Sequence, residues 1–253
     1  MLQTKDNKSM SLHVDDVKHL ALVVPVLNEA ENLDRLLPQL RKLMEASIIQ
    51  FHPVFIDGGS SDHSVEIIER FGLKVIHSKQ GRALQMQAGV DYFFHHSKQS
   101  DIDGWIFLHA DTCHLEPSIF FELRQRLHTD FVWGFASLYL DDTSWIYRLI
   151  GTGIRLRSKW FGVATGDQMI FVSAKLFKKV HGLPQLPLME DIEFTRRLRR
   201  RALPEILNAK IIVSSRRWKK HGVVKTVLLM WWLQLRFRLG ADPHQLYRDY
   251  YGR

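Results

Sequence analysis

Four short apolar runs, each followed by a helical pattern, fill residues 20–127, and that alternation leaves few folds open. "LALVVPV" (20–26) is continuous and β-branched, as a strand buried on both faces should be. Residues 29–46 follow with helical spacing, Leu33, Leu36, Leu37, Leu40 and Leu43 sharing one side; Pro38 inside the pattern predicts a weak or kinked helix. "PVFID" (53–57) is a second strand, and Ser60, Ser61 or Asp62 can cap a helix over 62–71. "LKVIHS" (73–78) is a third strand before a helix at 82–95, and "WIFLHA" (105–110) a fourth before a helix at 117–127. Strand and helix repeated in this way predict an α/β fold, a Rossmann-like, doubly wound and mostly parallel sheet.

The rest is less regular. Strands are expected at 131–140, 168–173 and 205–214, and helices at 143–161, 174–180 and 190–202. Residues 223–239, "VVKTVLLMWWLQLRFRL", put Leu228, Trp231, Leu235 and Leu239 on one helical face, yet 233–239 also alternates like a strand. The segment is too short and too charged to span a bilayer. It reads either as a helix lying in a membrane interface or as a closing core helix. No internal repeat, low-complexity tract or Gly/Ser linker divides the chain. The expected organisation is a flexible leader (1–17) and one domain (18–253), with a regular first half (18–115) and a basic second half (116–253).

At 253 residues and 45% hydrophobic composition the chain can bury one sizeable core, and it is too apolar for a disordered protein. Its single cysteine, Cys113, excludes an internal disulfide, and the polar amino end lacks a signal peptide's apolar stretch, so a cytoplasmic location is expected. Residues 1–147 hold 13 Lys and Arg against 20 Asp and Glu, a balance of −7; residues 148–253 hold 22 against 7, a balance of +15. A basic half faces phosphates, anionic lipid or an acidic substrate, or is a solvated surface. No nucleic-acid-binding motif accompanies the charge, so nucleic acid is not an expected partner.

Doubly wound sheets bind ligands at the carboxyl ends of their strands. Those ends carry Pro25, Asn28 and Glu29; Asp57, Gly58 and Gly59; Gly81 and Arg82; and His109, Ala110, Asp111 and Thr112. Asp57 on a Gly-Gly turn can accept bonds from a base or ribose, or hold its own turn. Arg82 at a helix start can meet a diphosphate or lie on the surface. Asp111 can ligate a hard dication beside nucleotide phosphates; a zinc site of His109, Asp111, Cys113 and His114 is the rival. Thr165, Gly166 and Asp167 form a further turn that can line the same cleft. In "LPLMEDIEFTRRLRRR" (186–201), Glu190 and Asp191 head a helix, where a carboxylate is held as an anion, suited to a general base or to simple capping. "SSRRWKKHG" (214–222) gathers Arg216, Arg217, Trp218, Lys219, Lys220 and His221, a cluster for a leaving diphosphate, an acceptor phosphate or nonspecific nucleic acid.

From about residue 20 onward these segments, in this order, resemble the family 2 inverting glycosyltransferases of the A-type fold. "VPVLNEAENL", "IDGGSSD", "GRALQMQAG", "FLHADT", "TGDQMIFV" and "LPLMEDIEFTRRL" are similar to that family's motifs. The set looks closest to a small bacterial subgroup associated with radical-SAM and selenium-related genes and with arsenosugar synthesis. The resemblance implies a nucleoside-diphosphate sugar donor, a UDP-sugar first, and a small-molecule or lipid acceptor. It implies Asp57 on the uracil or ribose side with Pro25, Asn28 and Glu29 beside it, Gly58 in the same turn, and Arg82 at the diphosphate. Asp111 would bind Mg²⁺ or Mn²⁺, with His109 and Ala110 completing the DXD-like stretch. Asp191 would be the base with Glu190 in support, and Arg217 and Trp218 would serve acceptor and leaving group. Two departures stand out: His109 replaces the first acid of DXD, where His221 can add a late ligand, and Ser214 replaces the Gln of the family's "QXXRW". The first departure keeps open a noncatalytic nucleotide-sugar-binding protein on the same fold.

Overall fold

The computed structural model describes residues 18–47, 49–96, 102–126, 132–216, 219 and 222–252. The leader 1–17 and Arg217, Trp218 and His221 lie outside the described residues. Eight strands form one sheet: β1 (His19–Val26), β2 (Gln50–Asp57), β3 (Lys74–His77), β4 (Gly104–Phe107), β5 (Thr112–Leu115), β6 (Trp133–Leu140), β7 (Ile170–Ser173) and β8 (Glu205–Val213). Their order is β3-β2-β1-β4-β7-β6-β8-β5. β7 and β5 run against the other strands, so the sheet is mixed but mostly parallel.

Both faces are covered because each central strand feeds two cores by its period of two. Leu20, Leu22, Val24 and Val26 of β1 face one cluster, and Ala21 and Val23 face the other. The first is roofed by α1 (Ala30–Glu45), α2 (Ser64–Arg70) and α4 (Ile119–Arg126), through residues such as Leu36, Ile68 and Leu123. The second is roofed by α3 (Arg82–His96), α6 (Ala174–Lys179) and α7 (Glu190–Arg199), through Val90, Phe177 and Phe194. Each such large apolar side chain removed from water contributes about 1.5–3 kcal/mol.

Several expectations shift in detail. Pro38 does not break α1: it sits on the exposed face, one turn after the exposed Asp34, where water can reach the carbonyl left without a donor. β4 is shorter than expected and ends at Phe107; β5 was not anticipated at all. Asp62 reaches the head of α2, its Oδ1 accepting from the Ser64 amide at 3.0 Å. The expected helix at 143–161 is α5 (Trp145–Phe161). The ambiguous segment 223–239 is helical, α8 (Val223–Arg238), and α9 (Pro243–Tyr251) follows it, capped by Asp242 through the His244 amide.

Candidate active site

Because β1 to β4 are parallel, their carboxyl ends share one edge of the sheet. β7 is antiparallel to β4, with Ile170 opposite Phe107, so the turn leading into β7 arrives at that same edge. β5 is antiparallel to β8, with Thr112 opposite Val213, and brings its first residue there too.

The β1–β3 side of this edge is built from loops laced to one another. Asn28, at φ 55°, donates its amide to Ser60 Oγ at 2.9 Å and accepts from the Ser61 amide at 2.8 Å. Glu29 Oε2 accepts from Asn32 at 2.6 Å and from Arg216 at 3.0 Å, which sets Arg216 beside the β1 end. Pro25 lies opposite Ile56 and past the last β1–β4 pair, Val23–Phe107. Asp57 is buried, and its carboxylate accepts from the amides of Gly59 and Ser60 at 3.0 Å each, with His77 Nδ1 at 3.3 Å. Burial pushes the Asp57 carboxyl up, but the bonds from Ser60, Gly59 and His77 outweigh it and hold the group below the usual carboxylate range. Asp57 therefore does hold its own turn.

Gln85 is one residue that sequence reading missed. From α3 its Nε2 donates at 2.8 Å to the carbonyls of both Val26 and Ile56, at the ends of β1 and β2. A Cβ on Gly58 would stand 2.9 Å from the Gln85 amide carbon, so a glycine is needed for the strand end to approach. A glutamine in a helix gives no sequence signal for this role.

The second set of groups converges around Arg82. Its guanidinium lies 3.7 Å from Glu190 Oε1, with 37% of the Arg82 side chain and 5% of that of Glu190 exposed. Burial opposes the Arg82 charge, but Glu190, Asp191, Tyr251 and Asp111 more than offset it and raise its pKa. Tyr251 had carried no signal in the sequence. Burial and the neighbouring Asp191 push Glu190 up to about 7, against the pull of Arg82.

Asp191 is positioned from β7's side of the sheet. Its Oδ2 accepts from the Gly166 amide at 2.8 Å and its Oδ1 from the Ile192 amide at 2.7 Å. A Cβ built on Gly166 would lie 2.7 Å from His109 Nε2 and 3.6 Å from Asp191 Oδ2, so His109 and Asp191 flank one glycine. Asp167, next in the same turn, is pushed up by burial and further by Asp111 and Asp191, while Thr165 and Arg157 pull it down. Its Oδ1 is buried and has no hydrogen-bond partner among the described residues. Arg157, from α5, faces Asp167 and Asp191, although burial lowers its pKa; as one cation among many it could not have been singled out from sequence. Asp111, Asp167, Asp191, Glu190 and Arg82 thus share one electrostatic neighbourhood.

The zinc reading does not survive this geometry. His109 turns to Gly166, Cys113 Sγ sits 3.9 Å from Asn32, and His114 Nδ1 lies 2.8 Å from Gln39 on the exposed side. Among the described residues no three His, Cys, Asp or Glu side chains are grouped to hold a metal by themselves. Ala110 packs its methyl into the first core cluster, leaving its main chain as its only means of touching a ligand.

The sequence profile described as Glycosyl transferase family 2 matches residues 21–180. No curated protein sequence matches the chain. Among solved structures, it is similar to TarS (residues 1–349) of S. aureus in complex with UDP, with 16% identity, TM-score 0.57, and coverage of 78% of this chain and 61% of that one. It is similar to the mannosyltransferase PcManGT of Pyrobaculum calidifontis in complex with GDP-Man and Mn²⁺, with 14% identity, TM-score 0.53, and coverage of 76% and 56%. It is also similar to glucosyl-3-phosphoglycerate synthase of Mycobacterium tuberculosis with Mg²⁺ and UDP, with 15% identity, TM-score 0.53, and coverage of 78% and 70%. The chain spans about three fifths of the length of the TarS chains it matches. At these identities the likeness is one of fold, the A-type glycosyltransferase architecture.

Proposed function

The chain belongs to glycosyl transferase family 2, and on that footing we propose that it transfers a sugar, with inversion, from a nucleoside-diphosphate sugar to an acceptor hydroxyl. The observation that carries the proposal is the gathering of Arg82, Asp111, Glu190 and Asp191 at the strand ends. A UDP-sugar is the favoured donor. Asp57, Pro25, Asn28 and Glu29 line the base and ribose side, Gly58 lets the chain approach, and Arg82 faces the diphosphate. Residues 18–253 act as one transferase domain in this reading.

Asp191 takes the proton of the acceptor hydroxyl as that oxygen bonds to the anomeric carbon. The bond from that carbon to the phosphate oxygen breaks on the opposite face, and the nucleoside diphosphate departs with the electron pair. The Gly166 amide orients the base, and Arg82 offsets the charge growing on the leaving group. Arg217 and Trp218 are assigned to the acceptor and leaving-group side.

A divalent cation, Mg²⁺ or Mn²⁺, fits the residues present. Asp111 and Asp167, whose buried Oδ1 has no hydrogen-bond partner among the described residues, are neighbouring carboxylates whose mutual repulsion a hard cation would relieve. Such cations take one or two carboxylates and complete their shell with phosphates and water. Asp111 would hold it, with Asp167 beside it and His221 as a further ligand, and when bound it supplies Lewis-acid stabilisation of the phosphates.

The narrower likeness to the arsenosugar-linked bacterial subgroup belongs to this proposal as well, and it sets small-molecule acceptors beside lipid ones. A panel of nucleoside-diphosphate sugars with and without Mn²⁺, read by thermal unfolding, tests the donor. A donor at a hundred times its Kd should raise Tm by about 5–10 °C. No shift with any donor would remove the proposal. A shift without transfer or hydrolysis would favour the noncatalytic binding protein.

A further inference from the structure

α8 does not close the core with its most apolar face. Among its described side chains Leu233 is the fully buried one, clustered with Met189, Ile192 and Leu246. The stripe Leu228, Trp231, Leu235 and Leu239 points to solvent, with Trp231 64% and Leu239 78% exposed. α5 repeats the pattern: Trp145, Leu149, Leu156 and Trp160 share one helical face, all exposed, Trp160 at 74%. Two side-chain contacts, one turn apart in each helix, tie α5 to α8. Arg157 Nη1 lies 3.4 Å from Gln234 Oε1, and four residues on in each helix Arg238 stands over the Phe161 ring at 5.3 Å.

Neither helix contains an aspartate or glutamate, while Arg148, Lys159, Lys225 and Arg238 are exposed on them. We propose that α5 and α8 together form a docking surface for an anionic lipid bilayer, lying flat in its interface. Tryptophan prefers the level of the head groups, leucine goes below it, and the cations meet the lipid phosphates. A second copy of this chain is disfavoured, because an isologous contact would set these cations against themselves. Nucleic acid offers phosphates but no counterpart for two leucine-bearing stripes. No described helix is long and apolar enough to cross a membrane, so the contact is peripheral.

The helix that bears the surface packs toward the proposed base: on its inner face Leu233 shares one apolar cluster with Ile192, the residue after Asp191. Docking itself does not depend on transfer chemistry. What rests on the reading above is the consequence, an acceptor hydroxyl carried at head-group level.

The test is flotation of the full chain with vesicles of neutral phosphatidylcholine, and of phosphatidylcholine with about a third phosphatidylglycerol. Binding to the anionic vesicles is expected, weaker in high salt, with a blue shift of tryptophan emission. Each exposed cation should contribute about fivefold to partitioning. The double variant Trp160→Ala/Trp231→Ala should lose about tenfold or more. Lys159→Glu/Lys225→Glu should lose binding to anionic vesicles only. All four positions are exposed, so melting temperature and the donor-induced thermal shift should stay as in the parent. Absence of binding to anionic vesicles overturns the proposal, as does binding unchanged by both double variants. A dimer in solution that Trp231→Asp breaks would give the face to a second copy and overturn it too.

Discussion

The backbone amide of Gly166 donates to Asp191 Oδ2 at 2.8 Å, joining the turn before β7 to the head of α7 across 25 residues of chain. The same glycine leaves 2.7 Å between a would-be Cβ and His109 Nε2. Gly166→Ala must therefore displace a buried imidazole or the turn that aims the carboxylate. The expected result is a fall in kcat of about a hundredfold, since misplacement near 1 Å costs that much, with donor KM little changed. Steady-state kinetics beside a thermal melt measure it; a folded variant with parental kcat would separate the glycine from the base.

Asp191→Asn keeps the shape of the side chain and removes its basicity. Turnover should drop by about 10²- to 10⁴-fold, the usual contribution of a general base. Donor affinity, measured by calorimetry, should remain near that of the parent. Parental turnover would take Asp191 out of the role.

Glu190 makes stability depend on pH. Its folded pKa, near 7, lies above its ordinary value of 4.5 because it is buried beside Asp191. Between those values the folded chain keeps a proton that the unfolded chain has released. The contribution is thus full below about pH 4.5 and is lost as pH rises through about 7. Glu190→Gln should flatten that decline, so the parent loses stability relative to the variant from pH 5 to pH 8. Urea unfolding at the two pH values reads it; parallel profiles would contradict the assignment.

Gln85→Ala removes the two bonds that hold the ends of β1 and β2. Val26 O retains the Gly58 amide at 2.9 Å, so one acceptor at most is left bare. The expected loss is about 1–3 kcal/mol. Donor binding should weaken as well, because the Asp57 turn starts at the same strand end. A melt and a donor titration on the same variant test both halves.

The alternation of apolar runs and helical patterns was sufficient to predict a mostly parallel sheet and to point to the strand-end edge that carries the candidate site. Asp57, Arg82, Asp111 and Asp191 are found there, Asp57 at the end of β2 and the other three in the shared charged neighbourhood. β5 escaped because four residues, "TCHL", carry too little periodicity to separate a strand from a turn. Gln85 and Arg157 escaped for a different reason: their partners lie on other elements, so nothing adjacent in the chain marks them. In residues 223–239 the shared apolar face was legible from spacing, but whether it turns to the core or outward was left open by the sequence and is outward in the fold.

Local spacing along the chain determined most of the longer elements and which of their side chains share a face, because those follow from the 2.0 and 3.6 periods of the backbone. Only the tertiary structure decided that β7 would enter beside β4 in the opposite sense, bringing Gly166 between His109 and Asp191. It alone decided that the leucine and tryptophan stripes of α5 and α8 look outward. Strand neighbours far apart in sequence, and the side a helix presents to a core, are chosen by how all the apolar faces pack at once, and no single segment encodes that choice.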